Sequence, residues 1–145
     1  MWGADDLDCR KPVVWSDITY EDEKAAFDPS ETRPVDKVTP DTALLIIYKR
    51  LTRMRRDNPV LSYGDLNFIV ADNQKMILAY TRTRGKEEIV ALFNRSGKEE
   101  SLFAPVQNRG TFTDILSPGH ESYKSVDKGL ELKIEPLSAM VLKKD

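Results

Sequence analysis

The chain has 145 residues, of which 40% are hydrophobic and 32% charged, and this permits one domain with a core of its own. The net charge of −2, from 24 acidic and 22 basic residues, excludes a broad electrostatic attraction to nucleic acid or to an anionic membrane. A single cysteine excludes an internal disulfide, and the longest apolar run, Ala43–Tyr48, is far shorter than a membrane span.

Residues 1–38 carry three prolines, scattered charges and no sustained hydrophobic periodicity, which predicts mostly loop. A short helical turn is expected at Tyr20–Phe27, where good helix formers follow one another. The first fifteen residues combine two tryptophans, Trp2 and Trp15, with three aspartates, two cations and the only cysteine, Cys9. Such a density of aromatic and polar groups is typical of a loop that a larger scaffold holds beside a binding site.

The next segment is predicted to form one helix from Pro40 to Asn58. Thr39 is the expected N-cap and Pro40 the first helical residue, and Asn58-Pro59 ends the helix. Apolar residues recur at three- and four-residue spacing and give one stripe: Leu44, Ile47, Tyr48, Leu51 and Met54. Five cations concentrate toward the C-terminal end, where they complement the helix dipole. Because that position explains them, we predict no nucleic-acid site.

Apolar side chains cover more of this helix than one core-facing stripe needs. Leu44, Leu45, Ile46 and Ile47 are consecutive in the sequence. We therefore expect one side of the helix to stay exposed in the chain alone and to drive self-association.

From Leu61 to the C-terminus, short apolar or alternating runs are separated by Gly, Asn, Asp and Pro, which predicts antiparallel β structure. Leu130, Leu132 and Ile134 alternate with charged residues, so their strand should have one wet face. The predicted strands are Leu66–Ala71, Met76–Thr81, Glu88–Asn94, Glu100–Phe103, Thr111–Leu116, Ser122–Val126, Gly129–Ile134 and Ser138–Lys143.

Three stretches resemble one enzyme family. Gly3–Trp15 is similar to the G-[AG]-[DN]-D-P-D-C-R-[KR]-P-M-x-W signature of the neopullulanase, cyclomaltodextrinase and maltogenic amylase group of α-amylase-family glycoside hydrolases (family 13). Leu51–Gly64 looks like that family's junction between barrel and C-terminal domain. Leu78–Arg82 and Val90–Ser96 are similar to two of its C-terminal strands. Leu7 and Val13 depart from the signature, which usually has Pro and Met there, and the missing proline leaves the loop backbone less restricted.

The resemblance implies a mainly β fold. Residues 61–145 would form the antiparallel β-sandwich called domain C. Residues 1–60 would be the loop and the one α-helix left over from a catalytic (β/α)8 barrel, which needs about 250 residues and cannot fit in this chain. The resemblance places the catalytic Asp and Glu on earlier barrel strands, so no catalytic residue is expected here. The substrate would be an α-glucan or maltooligosaccharide bound through the missing barrel, in the cytoplasm or the periplasm.

By the same resemblance, Asp6 and Arg10 match positions that hydrogen-bond glucose units on the non-reducing side of the cleavage point. A carboxylate accepts from sugar hydroxyls and a guanidinium donates to them. The alternative is an Asp6–Arg10 surface ion pair of little energetic consequence. We expect sugar contact in a complete enzyme and a solvated loop in this chain alone. Trp2 and Trp15 are expected to pack in a core or an interface.

No cofactor or metal site is predicted in this chain. Asp5, Asp6 and Asp8 lack the EF-hand spacing, its turn glycine and its distal glutamate, so calcium in the parent enzyme would be bound elsewhere. Cys9 is interpreted as a buried small hydrophobe and His120 as a turn residue, since no catalytic spacing joins them.

Two function classes remain: the terminal part of an α-glucan hydrolase acting as a structural cap, or a self-standing carbohydrate-binding module. A starch-binding module should display paired aromatics on adjacent loops. Tyr123 is the one ambiguous aromatic, and the others fall within or beside apolar strand runs, which predicts that they lie in the core: Tyr63, Phe68, Tyr80, Phe93 and Phe112.

Overall fold

The computed structural model describes residues 14–22, 30, 32, 34–35 and 37–145. The chain divides into two compact units, Met1–Arg50 and Leu51–Asp145. Most of the helical turn predicted at Tyr20–Phe27 lies outside the described residues. The division of the chain at residue 60 into a barrel remnant and a sandwich stays a prediction.

Helix α1 spans Thr42–Asp57 and starts two residues later than the sequence predicts. Asp41, not Thr39, is the N-cap, because its Oδ1 accepts a hydrogen bond of 2.8 Å from the N–H of Leu44. At the other end, Asn58 Nδ2 donates to the carbonyl of Met54 at 2.8 Å and satisfies one of the free carbonyls of the last turn. The predicted stop at Asn58-Pro59 is therefore confirmed.

A four-residue helix and eight strands follow α1, and every strand predicted from the sequence is present. The added elements are α2 (Val60–Tyr63), β1 (Asp65–Asp72), β2 (Ile77–Arg84), β3 (Glu87–Asn94), β4 (Glu100–Pro105), β5 (Thr111–Asp114), β6 (Ser122–Lys124), β7 (Gly129–Ile134) and β8 (Ser138–Lys144). Most differences from prediction are of one to three residues at strand ends, the usual uncertainty of such boundaries.

The strands form two antiparallel sheets, which confirms the mainly β fold. The larger sheet has six strands in the order β1-β2-β3-β8-β5-β6, and the smaller one pairs β4 with β7. Strand β1 carries a bulge between Phe68 and Val70. Because an extra residue reverses the side-chain alternation, Phe68 lies on one face of the sheet and Val70 on the other.

The main core lies between the two sheets. Val90 and Leu92 of the large sheet and Leu130, Leu132 and Ile134 of the small one belong to a single cluster of fully or nearly buried side chains. Since the residues between them on β7 are exposed, the predicted wet face of that strand is confirmed.

A smaller cluster lies on the opposite face of the large sheet. Ile89 and Val141 alternate with residues of the main core, so they point to the other side. There they pack with Val60 of α2, and Met54 near the end of α1 adds a partly buried contact. The last turn of α1 and the short helix α2 thus cover one end of this outer face.

Candidate functional site

The other end of the same outer face carries a row of aromatic and aliphatic side chains. We call this row the aromatic face; it consists of Leu66 and Phe68 of β1, Leu78 and Tyr80 of β2, and Phe93 of β3. The strand register places Phe68 opposite Tyr80, and Phe93 opposite Leu78. All five therefore point to one side of the sheet, as the period of two along a strand requires.

The three rings contact one another across the strands. The centroids of Phe68 and Tyr80 are 6.0 Å apart with an interplanar angle of 71°, an edge-on arrangement. The Tyr80 and Phe93 rings are also 6.0 Å apart but stacked, at 27°. Such pairs are favourable at this distance, so the rings form one ordered apolar surface. Because the Phe68 ring is steeply inclined to the Tyr80 ring, the row is not a flat platform.

Much of this surface is open to solvent. Phe68 is 60% exposed and Phe93 38% exposed, and Leu66 and Leu78 are also exposed. Contiguous apolar surface of this kind is typical of an interaction site. The aromatic face lies on the same side of the sheet as Ile89 and Val141, which α2 already covers.

The prediction that the aromatic residues lie in the core is only partly right. Phe112 lies in the core as predicted, but Tyr63, Phe68, Tyr80 and Phe93 do not; Tyr63 is 78% exposed. The prediction treated every apolar strand position as core. The run Ile89–Phe93 is apolar on both faces of β3, and this pattern was the available signal that the outer face needs a cover.

The buried carboxyl groups of the described residues hold loops in place. Glu88 is almost fully buried and accepts hydrogen bonds from the backbone N–H groups of Gln107 and Asn108, both at 2.8 Å. Asp114 Oδ1 accepts from the N–H groups of Leu116 at 2.9 Å and Val141 at 3.2 Å. Both carboxylates are therefore occupied by the chain's own donors, which accounts for their burial without a cation.

The sugar-contact residues predicted from the N-terminal signature, Asp6 and Arg10, lie outside the described residues, as do Trp2 and Cys9. Trp15 is half exposed rather than packed in a core. His120 lies in the turn after β5, as predicted, with its Nδ1 3.1 Å from the Asp114 carbonyl oxygen.

Within the described ranges, no group of three or more His, Cys, Asp or Glu side chains is arranged to hold a metal ion. Among those same residues, α1 and α2 both fall short of the length and apolar character that crossing a membrane requires.

Comparison with known proteins identifies the fold of the β strands. Residues 68–145 match the family model described as the α-amylase C-terminal all-β domain. A solved α-amylase from Geobacillus thermoleovorans, complexed with acarbose, superposes with a TM-score of 0.65 at 15% identity, covering 79% of this chain and 25% of that one.

Two curated relatives extend the similarity beyond the β strands. Neopullulanase 2 of Thermoactinomyces vulgaris is 26% identical over 144 residues, 98% of this chain and 21% of that protein. A cyclomaltodextrinase of Geobacillus thermopakistaniensis is 28% identical over 119 residues, 82% of this chain and 17% of that protein. The chain thus spans about a fifth of the length of these relatives.

Proposed function

Since the chain belongs to the family of α-amylase C-terminal all-β domains, we propose that it is the C-terminal part of an α-glucan hydrolase of the neopullulanase and cyclomaltodextrinase type. In this role it is a structural cap that covers the catalytic domain and does not itself cleave α-1,4 bonds.

The aromatic face is the observation that carries this proposal. It lies on the side of the large sheet that α2 and the end of α1 already contact. In the proposed enzyme α1 is the last helix of the barrel, so the catalytic domain would lie on this same side. Phe68, Tyr80 and Phe93 would then be covered by that domain, which accounts for apolar residues on a face open to water.

The carboxyl groups also support a non-catalytic role. A retaining glycosidase needs two carboxyl groups about 5–5.5 Å apart on either side of the scissile bond. Glu88 and Asp114, the buried carboxylates among the described residues, are both engaged by backbone N–H groups. In the complete enzyme we propose that Asp6 and Arg10 contact glucose units, while catalysis belongs to residues outside this chain.

Self-association of the chain on its own belongs to the same proposal. Helix α1 has no buried residue, and Ile46, Ile47 and Tyr48 are each more than half exposed. A helix left without its barrel would hide this surface against a second copy.

The cap is tested with the double variant Phe68→Ser/Phe93→Ser. The variant is made in a longer protein, obtained by extending the same reading frame upstream so that it includes the proposed catalytic domain. Each side chain contributes about 1.5–3 kcal/mol when it is buried. We therefore expect the temperature of half-inactivation of maltodextrin hydrolysis to fall by roughly 5–10 °C.

The matched control is Phe103→Ser, which removes an exposed phenylalanine from the smaller sheet. It should lower the temperature of half-inactivation of the extended product by no more than it lowers the unfolding temperature of the 145-residue chain. The double variant should change the unfolding temperature of the 145-residue chain little. An equal shift in both proteins would contradict the cap.

A further inference from the structure

A groove of about 840 Å³ lies between the small sheet and the edge strand of the large one. Its lining comes from β4, β7 and β6 and the residues beside them, and includes Phe103, Tyr123, Glu131 and Lys133. None of these belongs to the aromatic face. The volume falls within the range of ligand pockets, about 300–1,000 Å³.

The absence of a side chain at Gly129 leaves room for the Phe103 ring. A side chain built at Gly129, on the paired strand β7, would overlap the Phe103 ring. The ring therefore lies directly on the backbone of β7, and half of it remains exposed. A ring fixed on one side and open on the other is an ordered platform for stacking, since little side-chain entropy is left to lose on binding.

Tyr123 supplies the second ring, from the other sheet. Part of it packs against the main core, and its hydroxyl donates to Glu121 Oε2 at 2.9 Å. Burial, then the hydrogen bond to Glu121 and the charges of Glu121 and Asp114, raise the pKa of Tyr123 to about 12. The phenol is therefore neutral under ordinary conditions and keeps its donor role.

The polar rim contains both donors and acceptors. Glu131 stands opposite Phe103 in the strand pair, and Lys133 stands opposite Ser101. The ammonium of Lys133 lies 3.5 Å from Glu99 Oε1. Hydroxyl groups both donate and accept, so a ligand rich in them can bond to carboxylate, hydroxyl and ammonium at once.

We propose that this groove is a second binding site for α-glucan, in which a glucose ring stacks on Phe103 and its hydroxyls bond to the rim. The C–H face of a pyranose carries partial positive charge and meets the negative face of an aromatic ring. The inference rests on the proposed function, because it takes its ligand from the same class of substrate.

The alternative occupant is a basic peptide, attracted by Glu99, Glu121, Glu131 and Glu135. Two of these carboxylates already have partners, Lys133 for Glu99 and the Tyr123 hydroxyl for Glu121. Only the Lys133 ammonium offsets a charge, since the Tyr123 phenol is neutral, so carboxylates remain that would attract a peptide. A lysine-rich peptide would use those carboxylates alone, whereas a pyranose would also use the exposed side of the Phe103 ring, which has no partner among the described aromatic contacts.

The test is calorimetric titration of the 145-residue chain with maltoheptaose, with amide chemical shifts to locate the site. We expect binding with Phe103→Leu about tenfold weaker, because leucine still covers Gly129 but has no π face. Phe68→Leu, the same change on the aromatic face, should bind as the parent does. Shifts should concentrate at residues 101–103 and 131–133.

Three results would overturn the proposed glucan site. The first is no binding of maltoheptaose at about 10 mM, a concentration ten times a dissociation constant of 1 mM. The others are chemical-shift changes at Phe68, Tyr80 and Phe93 instead of at the groove, and displacement of the sugar by a heptalysine peptide that binds more tightly. Each of these leaves the cap untouched, since the hydrolase assay of the extended product does not depend on the groove. Circular dichroism confirms that each variant is folded.

Discussion

Asn94 ends strand β3 and connects three segments of the unit Leu51–Asp145. Its Nδ2 lies 2.7 Å from the carbonyl oxygen of Lys98, 3.2 Å from that of Ile134 and 3.0 Å from that of Glu135. Its Oδ1 accepts from the N–H of Ser96 at 2.8 Å. Asn94 thus anchors the turn after β3 and the connection from β7 to β8.

We predict that Asn94→Asp lowers the free energy of unfolding by about 2–4 kcal/mol, because a buried carboxylate would face carbonyl oxygens in place of a donor. The measurement is urea unfolding at neutral pH. Asn73→Asp is the matched control, since Asn73 is exposed in the turn between β1 and β2, and it should cost less than about 0.5 kcal/mol. Equal losses for the two variants would show that Asn94 is not an anchor.

At the level of elements, the strands were predictable, but the exposed aromatic residues of the large sheet were not. Alternation along β7 and the glycine and proline breaks between runs located every strand. The start of α1 was missed because Thr39 and Asp41 are both good caps, and only the hydrogen bond to Leu44 distinguishes them. Phe68 and Phe93 were assigned to the core because an apolar residue on an outer face has the same sequence signal as one inside.

For helix α1 the exposed surface was predictable, but the partner that covers it was not. Its consecutive apolar residues predicted a surface that one core cannot use, and the described helix leaves Leu44, Ile46 and Ile47 exposed. Which protein or segment covers that surface is not encoded in the helix itself, because hydrophobic burial is not directional.

We predict that Ile46→Glu shifts the chain toward monomer, since it places a charge on a helix surface that is 64% exposed at this residue. Sedimentation velocity at several concentrations gives the measurement. Lys49→Glu is the control on the same helix, because it changes charge without removing apolar area. A parent chain that is monomeric at every concentration, with Ile46→Glu indistinguishable from it, would contradict self-association through α1.

On the scale of the whole molecule, Leu51–Asp145 contains both clusters of buried side chains, the one between the sheets and the one beneath α2. This unit has a core of its own, and the exposed aromatic face is the part of its large sheet that neither cluster covers. The sugar contacts at Asp6 and Arg10 stay predictions that rest on the N-terminal resemblance alone, because two polar residues in a sequence carry no geometry by themselves. The groove around Phe103 could not be predicted, since it joins strands that are distant in sequence.

The proposed function is that this chain serves an α-glucan hydrolase without containing its reactive centre. Its most direct test is reducing-sugar release from maltoheptaose, measured for the 145-residue chain and for the product of the same reading frame extended upstream by about 250 residues, the size of a (β/α)8 barrel. We predict release by the extended product and none by the chain alone. Release by the chain alone that Asp6→Ala abolishes, or an upstream frame that encodes no barrel, would contradict the account.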